Sequence, residues 1–540
     1  MTKQWSRMRY PIIIHILGLS LSVALIGCGE GLEGENDDAT SSASATAGNP
    51  MPFGWEDGID GAGVVGGWAC DANDYSKPLA IHFYEGSRFV GNTVASTTRE
   101  SAVAQLCGGY ANHGFRYQLP ASVLDGQPHQ ITAYAINIPL DGMNPPLSGS
   151  PKVVQVSSTQ PPPTTGRPKV ICDALRGLNG SAADASATIQ GCINQTPSGG
   201  VLRLPAGRYN LSNRVVVSRA IKIATENKLE ADPTCAVTGA SGCAELVADA
   251  NFYHSGGFFD LSAEGAFADH LIFDGNRAAR MNSAAASSCA GGANGYGYNM
   301  RVTCSHCKVS KSVSKNALCG TALEVSGRGV GVTLVDNTIA YNGIHNRSGL
   351  WADGITLHDY SDSTITGNQI INSTDIDLIL GGCARCVVQR NRIVHDGSST
   401  GSYAALMIQR WPGGTSGNFA GADFSSNTID CGPNKACGFG ILIGSNPWYA
   451  APISGGAVHD NVIQNPQQGL AIQDASSVAV YRNTVSGRKT TTRVSCHPSS
   501  PMSTSNLSRS PAASNINYGG ESAASYNAID WIACIPNWAI

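Results

Sequence analysis

An asparagine followed two positions later by Ile or Val recurs at Asn337/Ile339, Asn368/Ile370, Asn391/Ile393, Asn427/Ile429, Asn461/Ile463 and Asn483/Val485. The steps from one asparagine to the next are 31, 23, 36, 34 and 22 residues. A coil of roughly 22 residues with insertions of about 8 to 14 accounts for all five. A second ladder runs in step with the first. Leu323/Val325, Ile355/Leu357, Leu378/Leu380, Leu406/Ile408, Ile441/Ile443 and Leu470/Ile472 are apolar pairs at period two, as inward positions of a half-buried strand are. An antiparallel sandwich would not hold that offset, so the pattern reads as coils stacked into a solenoid. Asparagine suits the turn, because its amide can hydrogen-bond to the turn above and its backbone tolerates the left-handed region.

The rest of the chain has to fit round that solenoid. With 540 residues it exceeds one core, so two or more domains are expected. The 63 Gly and 26 Pro favour strands and turns over helices. Charged residues make up 14% and the net charge is −4, which points away from nucleic acid and from an anionic membrane surface.

At the N-terminus Lys3, Arg7 and Arg9 precede an apolar run from Ile12 to Ile26, a targeting signal over residues 1–27. Leu25-Ile26-Gly27-Cys28 resembles a bacterial lipobox, which implies lipidation of Cys28, the first mature residue; a plain signal peptide is the alternative. Membrane association would then run through the lipid alone, with export to the outer membrane or cell surface. Seventeen cysteines less Cys28 leave sixteen, an even number that in an exported chain implies disulfides. Cys70/Cys107, Cys172/Cys192, Cys235/Cys243 and Cys431/Cys437 are local candidates. Cys304/Cys307 and Cys383/Cys386 resemble zinc half-sites, but their 79-residue separation puts them coils apart. They are expected to close locally or to pair with Cys289 and Cys319, with no metal.

Residues 28–50 have almost nothing to bury and read as a tether. Residues 51–158 read as a β-sandwich, with Leu79, Ile81 and Phe83 alternating and a turn at Asp125-Gly126. The segments Gly67-Trp68-Ala69-Cys70-Asp71 and His113-Gly114-Phe115 resemble an accessory module of exported bacterial enzymes. Trp68 and Phe115 are then either sugar-stacking platforms or core. Residues 159–168, with Pro161-Pro162-Pro163, form a stiff linker. The solenoid spans 169–487, opened by a short helix over Asp184–Gln190 that caps the first coil. After Arg488 the repeat stops, leaving a Ser-rich tail over 488–540 clasped by Cys496 and Cys534.

Acidic residues gather on one stretch of the solenoid. If Ile376, Leu378 and Leu380 face inward, Asp375 and Asp377 stand side by side outside, with Asp353 one coil earlier. Like charges held together carry a cost that favours function. Outward positions on neighbouring coils are Glu324, Thr356, His358, Met407 and Gln409. His345, Arg347, Trp351, Tyr403, Arg410, Trp411 and Trp448-Tyr449 lie near the same strand ends, suited to stacking on sugars or to bidentate contacts with acidic ones.

The helix followed by Gly199-Gly200-Val201-Leu202-Arg203-Leu204-Pro205-Ala206-Gly207-Arg208-Tyr209 resembles the opening of right-handed parallel β-helix proteins of the pectate-lyase and polygalacturonase type. The resemblance implies an all-β chain: a right-handed parallel β-helix with a smaller N-terminal sandwich. Asp353-Gly354-Ile355 followed by Asp375-Ile376-Asp377 is similar to the Asn-Thr-Asp-Gly and Asp-Asp segments of polygalacturonase-type hydrolases. It departs from them in Leu350-Trp351-Ala352, in the intervening Ile376, in having only Gly438-Phe439-Gly440 for a Gly-His-Gly, and in lacking an Arg-x-Lys. The resemblance implies Asp353, Asp375 and Asp377 as catalytic carboxylates, a polysaccharide substrate bound by the residues around them, and no cofactor. Two rivals remain: a lyase in which Glu324 and the three aspartates hold Ca²⁺, and a non-catalytic protein for glycan binding or adhesion.

Overall fold

The computed structural model describes residues 49–487, except 61–62, 87, 121–122, 125, 139–142, 156–167, 239–241, 346, 348, 399–400 and 446–450, together with 506–510, 512–522 and 529–530. Cys28, Trp448, Tyr449, Cys496 and Cys534 lie outside the described residues. The chain divides into two units, Met1–Ser158 and Thr159–Ile540.

In the first unit two four-stranded antiparallel sheets enclose a core. One sheet takes Phe53–Ile59, Val64–Cys70, Asn112–Gln118 and Thr97–Thr98 in that order, and the other takes Arg88–Ala95, Leu79–Glu85, His129–Ala135 and Lys152–Val154. Leu79, Ile81 and Phe83 alternate inward as expected, and the inner faces bring Val65, Ala69, Phe83, Phe115 and Ile131 together. A disulfide joins Cys70 to Cys107. Phe115 is therefore core, while Trp68 is half-buried on the outer face of its sheet.

The second unit is a parallel β-helix. Three long parallel sheets of 11, 10 and 11 strands run along it, each built from one strand per coil. They fit the right-handed sense that parallel crossovers take in nearly all proteins. The two ladders of the sequence are in register across coils. Leu323, Ile355, Leu378, Leu406, Ile441 and Leu470 pair in succession, as do Val325, Leu357, Leu380, Ile408, Ile443 and Ile472, and all are buried in one continuous core. The asparagines stack as a chain of amides. Asn337 Nδ2 donates to Asn368 Oδ1 at 3.0 Å, Asn368 to Asn391 at 3.0 Å, and Asn391 to Asn427, Asn427 to Asn461 and Asn461 to Asn483 at 2.9 Å each. Each Oδ1 also takes the backbone N–H of the asparagine one coil before. The left-handed residue is not the asparagine but the one preceding it: Asp336, Gly367, Arg390, Ser426, Asp460 and Arg482 have φ between 49° and 70°. The asparagine itself stays extended so that its side chain can point into the stack.

The opening helix is Ser186–Gln195, two residues later than expected at its start and five longer at its end. Ile189 and Ile193 close the core there, Cys172–Cys192 ties the helix to the first coil, and Asp184 Oδ1 accepts the Ser186 N–H at 3.0 Å. Disulfides join Cys304 to Cys307, Cys383 to Cys386, Cys289 to Cys319, Cys235 to Cys243 and Cys431 to Cys437. The repeat does not stop at Arg488. Leu507–Arg509 continues the third sheet in register with Leu470–Ile472, and Ile529–Asp530 follows it. That coil has neither the Asn-x-Ile/Val nor the apolar pair, since Leu507 is followed two positions later by Arg509, so the pattern conceals it.

Candidate functional site

The candidate residues lie on the third sheet, whose strands Gly320–Val330, Ala352–Ser361, Ile376–Gly382, Ser402–Ile408 and Cys437–Ile443 are hydrogen-bonded in that order. The expected alternation fails at one point in each coil. Thr356, Ile379, Met407 and Leu442 occupy one outward row, and Leu378 and its partners the inward row before it. One position earlier stand Ala322, Gly354, Asp377, Ala405, Gly440 and Gly469, which also face inward. Two consecutive inward residues shift the parity, so Asp353, Ile376, Ala404 and Phe439 form the next outward row. The small residues are there because space is short: a Cβ on Gly354 would lie 2.3 Å from the Asp377 carbonyl oxygen, and one on Gly440 2.4 Å from Ile463 Cγ2.

Asp377 is thus corrected from the outer face to the interior, where it is fully buried. Its Oδ2 faces His395 Nε2 at 2.9 Å and accepts the Ser402 hydroxyl at 2.7 Å, and its Oδ1 accepts the Ser373 N–H at 3.2 Å. His395 and Ser402 meet the same carboxylate oxygen, and among the described residues His395 Nδ1 has no partner, so the three form a buried clasp around Asp377. Cys437 Sγ lies within 4.8 Å of both His395 and Asp377, but it is bonded to Cys431 and offers no thiolate for a metal.

Asp353 and Asp375 do stand on the outer side, both half-buried. Asp353 Oδ1 accepts the Ile376 N–H from the next coil at 3.0 Å, and Oδ2 accepts the Thr356 hydroxyl at 2.8 Å. Thr356 has given its one proton to Asp353, so in the 2.8 Å contact with Thr321 it is Thr321 that donates. Burial, followed by the charge of Asp375, pushes the Asp353 carboxyl well above the usual range. Among the described residues no hydrogen bond reaches the Asp375 carboxylate, and burial pushes it up to about 6.

Two tyrosines close on this pair. Burial and the charge of Asp375 push the Tyr403 phenol up, and its N–H donates to the Asp375 carbonyl at 2.6 Å. Burial, then the charges of Glu324 and Asp353, push the Tyr298 phenol up. Sequence reasoning missed Tyr298, because the stretch before Met300–Val302 carries no ladder residue.

Around them, Glu324 is buried with Oε1 2.8 Å from His358 Nε2, and the His358 ring stands edge-on to Trp411 at 5.2 Å. Trp411 lies over Gly381, where a Cβ would be 2.6 Å from Cη2 of the indole. On the other side His345 Nε2 contacts the Gly401 carbonyl at 2.7 Å, and its ring sits 5.3 Å from that of Trp351. Burial lowers the His345 pKa, so the ring is neutral. Trp351 Nε1 is buried without an acceptor. Arg347 is turned away from the acids, donating to the Met281 carbonyl and to Asn282 Oδ1. Gln409 is buried, and Arg410 is half-buried with its stem against Gly417; Gln409 Oε1 and Arg410 Nε both lack partners. Of the four acids named for a Ca²⁺ shell, Asp377 faces the interior and Glu324 contacts His358.

No protein-family model and no curated protein matches the chain. Solved structures similar to it include a family 28 exopolygalacturonase of Yersinia enterocolitica, at 11% identity and TM-score 0.39 over 88% of this chain and 100% of that one. A polygalacturonase from Erwinia carotovora ssp. carotovora is similar at 11% and 0.40, covering 67% and 95%. A surface adhesin of Streptococcus pneumoniae is similar at 13% and 0.36, covering 59% and 92%. Likeness at this level assigns no residue a role.

Proposed function

We propose that this is an exported polysaccharide-active protein, anchored through lipid on Cys28, that hydrolyses a glycosidic bond between Asp353 and Asp375. The observation that carries the reading is the pair itself: two half-buried carboxylates on the outer face of the β-helix, both pushed above the usual range by burial. Asp353, pushed well above the usual range by burial and the charge of Asp375, is the general acid toward the glycosidic oxygen. Asp375, at about 6, is ionised at neutral pH and has no hydrogen bond of its own to break, so it takes the proton from water. Thr356 and the Ile376 N–H hold Asp353 in place. Trp411, half-buried, supplies ring surface for pyranose stacking.

A panel of neutral and uronic-acid polysaccharides, assayed for new reducing ends and for unsaturated products with and without a chelator, tests the reading. Reducing ends without unsaturation, insensitive to the chelator and lost in Asp375→Asn, are the expected result. Chelator-sensitive unsaturated products would establish the lyase instead. Tight binding with no product from any polysaccharide would establish the adhesive reading.

A further inference from the structure

The sandwich carries a surface that the hydrolysis reading does not use. In Phe53–Ile59 the residues Gly54 and Glu56 point inward, while Phe53, Trp55 and Asp57 are exposed. Trp55 lies opposite Trp68 on the next strand, Trp68 opposite Gly114, and Gly114 opposite Thr97, so one cross-strand row runs over the whole sheet. The Trp55 indole is packed on backbone: a Cβ on Gly149 would come 3.1 Å from its Nε1 and Cε2. One side of that ring is thereby spent, and its 49% exposure falls on the rest. Phe53, itself 37% exposed, stands edge-on to Trp68 at 6.1 Å and to Tyr75 at 6.5 Å. Gly66 adds nothing above the sheet, at Gly114 the Thr97 hydroxyl and the Arg99 stem cross, and Trp68 packs in part, with Tyr75, against Val103 and the Cys70–Cys107 disulfide, so the open part of the row lies on the Trp55 side.

Both arginines on this face are already paired with carboxylates. Arg99 binds Asp57 at 2.7 Å and Glu100 at 2.8 Å, and Arg116 binds Asp60 at 3.1 Å. A strip of rings whose two arginines are both paired, with one carboxylate in excess, offers nothing to an acidic polymer and suits a ligand that is itself uncharged, flat, apolar on its faces and hydroxylated at its rim. We propose that this face of the sandwich is a second, non-catalytic binding site for a neutral polysaccharide, whose pyranose faces stack on Trp55 and Trp68 while Thr97 and the Arg99 ion pair meet the ring hydroxyls. A lipid surface would call for unpaired basic groups, and both arginines of this face are paired. Joined to the β-helix by the Pro-rich segment 159–168, such a site raises the local concentration of polymer at the other unit. The inference does not depend on hydrolysis.

The test uses the full chain carrying Asp375→Asn, in native gels cast with neutral polysaccharides (a β-glucan, a xylan, a galactomannan) or charged ones (polygalacturonate, alginate). Retardation by at least one neutral polymer is expected, unaffected by salt. Trp55→Ala should weaken it about tenfold or more, as loss of a central aromatic anchor does, while Trp55→Phe keeps most of it. Trp55 is half-exposed, so its variants should melt as the parent does, which separates lost binding from lost folding. Retardation by charged polymers only, none by any polymer, or unchanged binding in both Trp55→Ala and Trp68→Ala would overturn the proposal. None of these outcomes bears on whether Asp375→Asn abolishes hydrolysis.

Discussion

The asparagine stack and the acidic strip lie on the same coils and obey opposite rules. Along the stack, every coil repeats the same residue, the same left-handed neighbour and the same pair of bonds to the next amide, from Asn337 to Asn483. Along the strip no coil resembles the next: the outward positions read Thr321, Asp353, Ile376, Ala404 and Phe439. A repeat is what stacking demands of residues that only hold the stack together, so stability lives where the coils agree. Chemistry needs one of a kind, and it sits where they differ. Asp377 tests the distinction, since it differs from the Ala and Gly of its row yet faces inward.

The comparison can be broken most forcefully at the interior ladder. Leu378→Asp would bury an unpaired charge among Ile355, Leu406 and Leu380, and should cost about 4 kcal/mol or more, enough to leave little folded protein. A melt within a few degrees of the parent would show that the row is not core. Next comes Asp377→Ala, which strands the Ser402 hydroxyl, His395 and the Ser373 N–H in the interior. A loss of about 3 kcal/mol is expected by denaturant titration, and near-neutral stability would return Asp377 to the functional candidates. Asn391→Ala removes an amide that bonds Asn368, Asn427 and the Ile365 carbonyl. It should cost about 2 kcal/mol, by the same measurement. An effect no larger than that of a surface alanine would mean that the stack is ornament.

Asp375→Asn should have the smallest effect on stability, and of opposite sign. The folded-state pKa of Asp375 is raised to about 6 from 3.8, so folding favours its protonated form. Its contribution is fully present below about 4 and is lost as pH rises through 6. At pH 8 the asparagine variant should therefore be more stable than the parent, on the order of 1 kcal/mol once solvent screening at a half-buried group is allowed for. The difference should vanish near pH 4. A variant less stable at pH 8 would mean that the carboxylate is a structural anion.

What the sequence makes legible follows the same division. Both ladders, the coil number over 337–485 and the local disulfides could be read from spacing, because stacking imposes the same geometry on each coil. The site could be read only as a neighbourhood. Strict alternation cannot foresee that two consecutive positions face inward, and so it put Asp377 outside and Ile376 inside. One trace of the shift was present: Ala322, Gly354, Ala405, Gly440 and Gly469 each precede an apolar pair, a row of small residues where strands are closest. Tyr298 left no such trace, since only the fold brings it beside Glu324 and Asp353. Arg347 was close in sequence and went elsewhere, because its loop runs toward Met281 and Asn282.

The central claim is that Asp353 and Asp375 are the acid and base while Asp377, two residues on, is scaffold. The most direct test is kcat/KM against pH for the parent, Asp375→Asn and Asp377→Asn, on whichever polysaccharide the screen returns. The account predicts that the parent profile rises through about pH 6 with Asp375. Asp375→Asn should lose at least about 10²-fold and the acid limb with it, with its melt unimpaired. Asp377→Asn should keep the profile, lowered only as far as its folded fraction is. An Asp375→Asn enzyme within about threefold of the parent, or an Asp377→Asn enzyme fully folded and inactive, would contradict the account.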